Sequence, residues 1–146
     1  MSTRRPHLMA ALLVTAGLTL SGCWAAQGAE QELAEVATVE APPDGAAVIV
    51  TLSEAADERL GMQTATVTAG PTGLVVPYAA LIYAPDGSTG VFVRTKPLTY
   101  QRAPVTVVGK TGDLVSISAG PPAGTEVVVV GAPELVGIET GIDGEE

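Results

Sequence analysis

From residue 46 to residue 130 the chain is a succession of short β-rich runs, each closed by glycine or proline. Residues 46–52 (AAVIVTL), 62–68, 74–77, 91–93, 99–108, 114–118 and 126–130 are the strand candidates. Between them stand turn-forming segments at 69–73 (AGPTG), 85–88 (PDGS), 109–112 (GKTG) and 120–124 (GPPAG). Short runs at near-regular spacing with such turns predict an all-β fold, a small barrel or roll. Pro104 marks an edge or a bulge in its strand, because proline donates no ladder hydrogen bond. Residues 127–130 are four valines without alternation, a pattern expected of a strand buried on both faces. One short helix is expected over Glu54–Leu60, with Ser53 as its cap and Gly61 as its stop. Thr51 and Glu54 offer a rival capping box one turn earlier. Aromatic residues past residue 22 are limited to Trp24, Tyr78, Tyr83, Phe92 and Tyr100. The core must therefore be built from Val, Leu, Ile and Ala.

The N-terminus carries a different signal. Arg4 and Arg5 precede 13 uncharged residues, 8–20, and Ser21, Gly22 and Cys23 follow at once. A basic head and an apolar run of this length read as an export signal. A membrane-crossing helix needs about 20 apolar residues, so this run is too short to anchor the chain. Leu20-Ser21-Gly22-Cys23 resembles the bacterial lipobox, in which the thiol receives a diacylglycerol and the chain is cut just before it. Small residues let the cleavage site enter a protease as extended chain, and cysteine supplies the soft nucleophile. Cys23 is the only cysteine. Each buried CH₂ contributes about 0.8 kcal/mol, so two acyl chains hold stably where one holds marginally. Thr3-Arg4-Arg5 also resembles a twin-arginine signal, although Pro6 and His7 stand where a hydrophobic residue is wanted.

Cleavage before Cys23 would leave five of the seven basic residues and all sixteen acidic ones, a formal charge of −11. Such a surface does not hold nucleic acid or anionic headgroups by charge. Membrane attachment must then come from the lipid, on the extracytoplasmic side. Residues 23–45 read as an acidic flexible tether, in which Glu30, Glu32, Glu35, Glu40 and Asp44 have no basic neighbours. A coil of this length spans about 26 Å. The expected organisation is a signal peptide at 1–22, the tether at 23–45, a β domain at 46–135 and an acidic tail at 136–146.

The residues offer little for catalysis. His7 is the only histidine and lies in the signal, which removes Ser–His–Asp and Cys–His arrangements. Metal sites need clusters of His, Cys or Met. Past the signal stand Cys23, the expected lipid acceptor, and one methionine, Met62, which is expected to pack under the short helix. Asp57-Glu58 reads as a solvated helix face. Ser116 with Lys110 is a dyad on paper. Gly109-Lys110-Thr111 imitates a phosphate loop without the earlier glycine or the following helix, and reads as a β-turn. No enzyme activity, cofactor or metal is expected.

Three segments together resemble the periplasmic adaptor family, also called membrane fusion proteins. The first is Val50-Thr51-Leu52-Ser53-Glu54 through Gly61-Met62-Gln63-Thr64 and Val67. The second is Val76-Pro77-Tyr78-Ala79-Ala80-Leu81-Ile82, then Gly87, then Val91-Phe92-Val93. The third is Val105, Gly109, Gly120, Gly124, Val127-Val128 and Gly131, at the spacing of the family's closing motif. Pro121 and Thr125 depart from that motif, standing where the family has leucine and aspartate. The resemblance covers only the membrane-proximal, β-barrel part. Where full adaptors insert a lipoyl-like domain and a helical hairpin, this chain has only residues 69–74.

The resemblance implies a lipid-anchored, non-catalytic accessory protein that docks on the extracytoplasmic face of an inner-membrane efflux or export transporter. The competing expectation is a free-standing envelope lipoprotein that binds wall polymer, a small ligand or another protein. Homo-oligomerisation stays open. Arg94, Lys96 and Arg102 cluster near a hairpin end and are the expected partner contacts; the alternative is a solvated edge that deters strand pairing.

Overall fold

The computed structural model describes residues 36–44 and 46–141. Cys23, the lipobox residues Leu20, Ser21 and Gly22, and most of the tether lie outside the described residues. The order of elements is β1 (Ala37–Glu40), β2 (Ile49–Leu52), α1 (Glu54–Leu60), β3 (Gln63–Thr66), β4 (Thr68–Gly70), β5 (Gly73–Pro77) and a one-turn 3-10 helix (Tyr78–Ala80). Next come β6 (Ile82–Tyr83), β7 (Thr89–Lys96), β8 (Thr99–Pro104), β9 (Thr106–Thr111), β10 (Leu114–Ala119), β11 (Glu126–Val130) and α2 (Ala132–Glu139).

The fold is all-β, built on two antiparallel sheets. The larger has seven strands, ordered β1-β2-β8-β7-β11-β3 with β6 also on β7; the smaller has four, ordered β4-β5-β10-β9. Among the described residues, neither sheet closes into a barrel. Successive residues on a strand point to opposite faces. Val91 and Phe92 on β7, and Val127 and Val128 on β11, are all buried, yet they belong to different cores. Phe92 and Val128 join Val50, Tyr100 and Leu135 beneath the two helices. Val91 and Val127 join Val76, Val115 and Ile117 between the sheets. The middle of the larger sheet is therefore buried on both faces, as the valine run predicts. The burial covers only its first half, since Val130 is exposed.

Two expected strands are broken at a buried valine. Val67 separates β3 from β4, and Val105 separates β8 from β9. At each the chain leaves the larger sheet and joins the smaller, the corner typical of packed sheets. The corners are pinned by backbone bonds. The Val67 N–H donates to Thr125 O at 2.8 Å, and the Val105 N–H donates to Thr89 O at 3.0 Å. Pro104 ends β8 just before its corner, where the missing donor does no harm.

The short helix forms at the expected bounds. The Ala56 N–H donates to Ser53 Oγ at 3.2 Å, and Gly61 takes the left-handed conformation (φ 61°) that closes it. Thr51 is occupied in the ladder between Thr38 and Thr99, so the rival capping box does not form.

Three boundaries differ from expectation. Within the stretch read as tether, β1 pairs with β2 from Ala37–Leu52 to Glu40–Ile49. A four-residue edge strand with mostly exposed side chains leaves no hydrophobic signal in a sequence. At the other end α2 runs past residue 135 to Glu139, and Leu135 is fully buried. It is a second helix that Pro133 and Gly137 conceal. Proline is tolerated there because first-turn N–H groups have no helical partner. The turn placed at 109–112 begins later: Gly109 and Lys110 belong to β9, and Gly112-Asp113 makes the turn.

Candidate interaction surface

The expected basic rim is only partly available. On β7, Arg94 donates through Nη2 to Glu126 Oε2 at 2.6 Å and through Nε at 3.0 Å. The Thr64 hydroxyl donates to the other oxygen of Glu126 at 3.3 Å. The Arg94 guanidinium holds the Glu126 carboxyl below its usual range, and Glu126 in turn raises Arg94. On β8, Arg102 lies 5.5 Å from the Phe92 ring centroid and pairs with Glu139 of α2 at 2.5 Å, off hydrogen-bond geometry. Arg102 is a strap between sheet and helix. Lys96 alone of the three is an exposed cation without an ion pair among the described residues. It stands at the mouth of the Pro97-Leu98 turn, where Leu98 is held at φ 61°.

Of the Asp57-Glu58 pair, Glu58 is exposed as expected and Asp57 is half-buried. Asp57 accepts the Tyr100 phenol at 2.6 Å, so α1 is tied to β8 through the helix-side core. Burial, followed by the Asp57 hydrogen bond, raises the Tyr100 hydroxyl well above its ordinary value. Ser116 and Lys110 do not form a dyad. Ser116 stands opposite Gly109 and Val115 opposite Lys110, so the two side chains project from opposite faces. Met62 packs against the helix-side core and lies against Gly131, at the start of α2.

A second surface went unseen in the sequence. Tyr78 and Tyr83 are 41% and 60% exposed, large fractions for tyrosines in a chain this poor in aromatics. The Lys110 ammonium sits 3.7 Å from the Tyr78 ring centroid, an arrangement that cation–π attraction favours. Partial loss of water and the adjacent Tyr78 phenol push the Tyr83 hydroxyl above its ordinary value. Below Tyr83 an apolar groove of about 360 Å³ runs between the 79–83 segment and Pro133 and Val136 of α2. Tyrosines beside an apolar groove suit recognition, since each ring offers contact area and a polar tip at low entropic cost. Residues 78, 83 and 110 meet because β5, β6 and β9 end at one shoulder, a tertiary juxtaposition with no local signature.

Among the described residues, no group of three His, Cys, Asp or Glu side chains is placed to hold a metal ion. Among them also, no helix is long and apolar enough to cross a membrane. Compared with known proteins, the chain matches no family model, no curated protein and no solved structure.

Proposed function

We propose that this chain is a lipid-tethered, non-catalytic, adaptor-like docking protein on the extracytoplasmic face of a membrane transporter of the efflux or export type. The observation that carries the reading is the order of elements. Strand β2, the capped helix α1, Gly61 and strand β3 fall on the first segment that resembles the periplasmic adaptors. β5, the 3-10 turn and β7 fall on the second, and β9 to β11 on the third. Where a full adaptor carries its hairpin, this chain turns back at once through β4 and β5, with Gly70 opposite Gly73. The docking surface in this reading is the Tyr78–Tyr83 shoulder and its groove, with Lys96 as a separate charged contact.

The exposed tyrosines also favour a second reading, stacking against the sugars of a wall polymer. A photo-crosslinking amino acid at position 83 in intact cells separates the two. Covalent capture of a transporter subunit is the expected outcome. Capture of glycan, or of no transporter component, would reject the docking reading.

A further inference from the structure

The outer strands of the two sheets are not alike. β1 and β3 have four residues each and β4 has three. β9 has six, and all six are exposed. Among the described residues its only ladder partner is β10, so its far side presents backbone groups that none of them pairs, a template for another strand. Val107 and Val108 on it are 38% and 55% exposed.

Edges of this kind are commonly guarded by charge, proline or a bulge. β9 contains no proline and no carboxylate, in a chain of net charge −9. Its single charge, Lys110, is turned back over the Tyr78 ring. Its bulge does not end the strand. Val108 is skipped between the Gly109–Ser116 and Val107–Ile117 pairs, and Ser118 is skipped before Thr106–Ala119, so the ladder regains its first register.

We infer that β9 is a self-association edge. Two copies pair their β9 strands antiparallel about a two-fold axis at Gly109, the centre of the strand once the Val107–Val108 bulge is counted as one position, joining two four-stranded sheets into one. The strand is self-complementary in that register. Thr106 meets Thr111 of the second copy, the Val107–Val108 bulge meets Lys110, and Gly109 meets its own counterpart. No like charges stand directly opposite, a condition that cross-strand pairs require. A two-fold, isologous contact is the commonest form of self-association. The acidic charge elsewhere on both copies opposes the pairing, so the contact is weak at low salt.

Sedimentation equilibrium of the full chain in detergent, over a range of concentrations at low and high salt, tests this. The expected result is a monomer–dimer equilibrium that tightens with salt. Val108→Lys should weaken it by about tenfold or more, while the circular dichroism and melting temperature stay those of the parent. Val36→Lys adds the same charge away from β9 and should leave the equilibrium unchanged. A monomer at every concentration and salt would overturn the inference, and so would equal weakening by both substitutions. So would a crosslinker at residue 108 that captures only a different protein.

Discussion

The Tyr100 hydroxyl donates to Asp57 Oδ1 at 2.6 Å, and this bond is the polar link from helix α1 to strand β8. The tyrosine ring is buried among apolar side chains while Asp57 stays half-buried, so the bond joins a core residue to a partly hydrated acid. Hydrogen bonds to charged groups are stronger than neutral ones. Tyr100→Phe should lower the unfolding free energy by about 1–2 kcal/mol, read from the denaturant midpoint. In an Asp57→Asn background the same substitution should cost less, and the difference is the coupling between the two side chains.

Burial of the same hydroxyl, with its bond to Asp57, makes stability depend on alkaline pH. The folded-state pKa of Tyr100 lies above the unfolded value of about 10. Its contribution is therefore complete below pH 10 and is lost as pH rises toward the folded value. The wild type should lose stability above about pH 10 more steeply than Tyr100→Phe, measured by urea titration at a series of pH values.

Acid removes the charge that Glu126 offers to Arg94. The folded pKa of Glu126 is depressed, first by the hydrogen bonds from Arg94. That contribution is present above the ordinary carboxylate value and is lost as pH falls through the folded one. Glu126→Gln should flatten the acid limb of the stability profile, and the effect should shrink with added salt because the pair is exposed. An acid limb unchanged by the substitution would assign the loss to other carboxylates.

Gly131 tests the junction between β11 and α2. It sits at φ 94°, and an added Cβ would lie 2.0 Å from Met62 Sδ. Gly131→Ala should destabilise the fold by about 2–3 kcal/mol, part from the backbone and part from the clash. Adding Met62→Ala should recover the clash portion only. The thermal midpoints of the single and double variants check both statements.

The basic side chains divide by role. Arg102→Glu would face Glu139 in a half-buried setting and should cost about 2 kcal/mol while loosening α2. Lys96→Glu should change stability by less than about 0.5 kcal/mol, so any effect on partner capture would belong to the contact itself. Amide exchange across α2 separates the two variants.

Cys23→Ala should release the protein from the membrane fraction or leave it uncut. Fractionation with mass analysis reads both outcomes. Normally processed, membrane-bound Cys23→Ala protein would remove the lipid from the proposed function.

Parts of this fold are legible in the sequence because their signals are local. Ser53 and Gly61 bracket α1, and the turn at 85–88 is written in Asp86, whose carboxylate accepts the Ser88 N–H at 2.9 Å. The four valines at 127–130 mark a strand with the bounds Glu126–Val130. What stayed hidden depends on distant partners. Nothing near Val67 or Val105 announces that the chain changes sheets there. Arg94 and Arg102 read as free cations because Glu126 and Glu139 arrive from 32 and 37 residues away. The Tyr78–Tyr83–Lys110 shoulder was missed for the same reason, and it is now the more available surface.

The shared position of β7 and β11 has a consequence for how the molecule comes apart. Val91 and Val127 hold one core while Phe92 and Val128, their immediate neighbours, hold the other. Stripping away either the helices or the smaller sheet would bare one whole side of the same two strands. Neither half retains a closed interior without the other. Thermal unfolding of residues 36–141 should accordingly pass through one cooperative transition, with calorimetric and van't Hoff enthalpies in agreement.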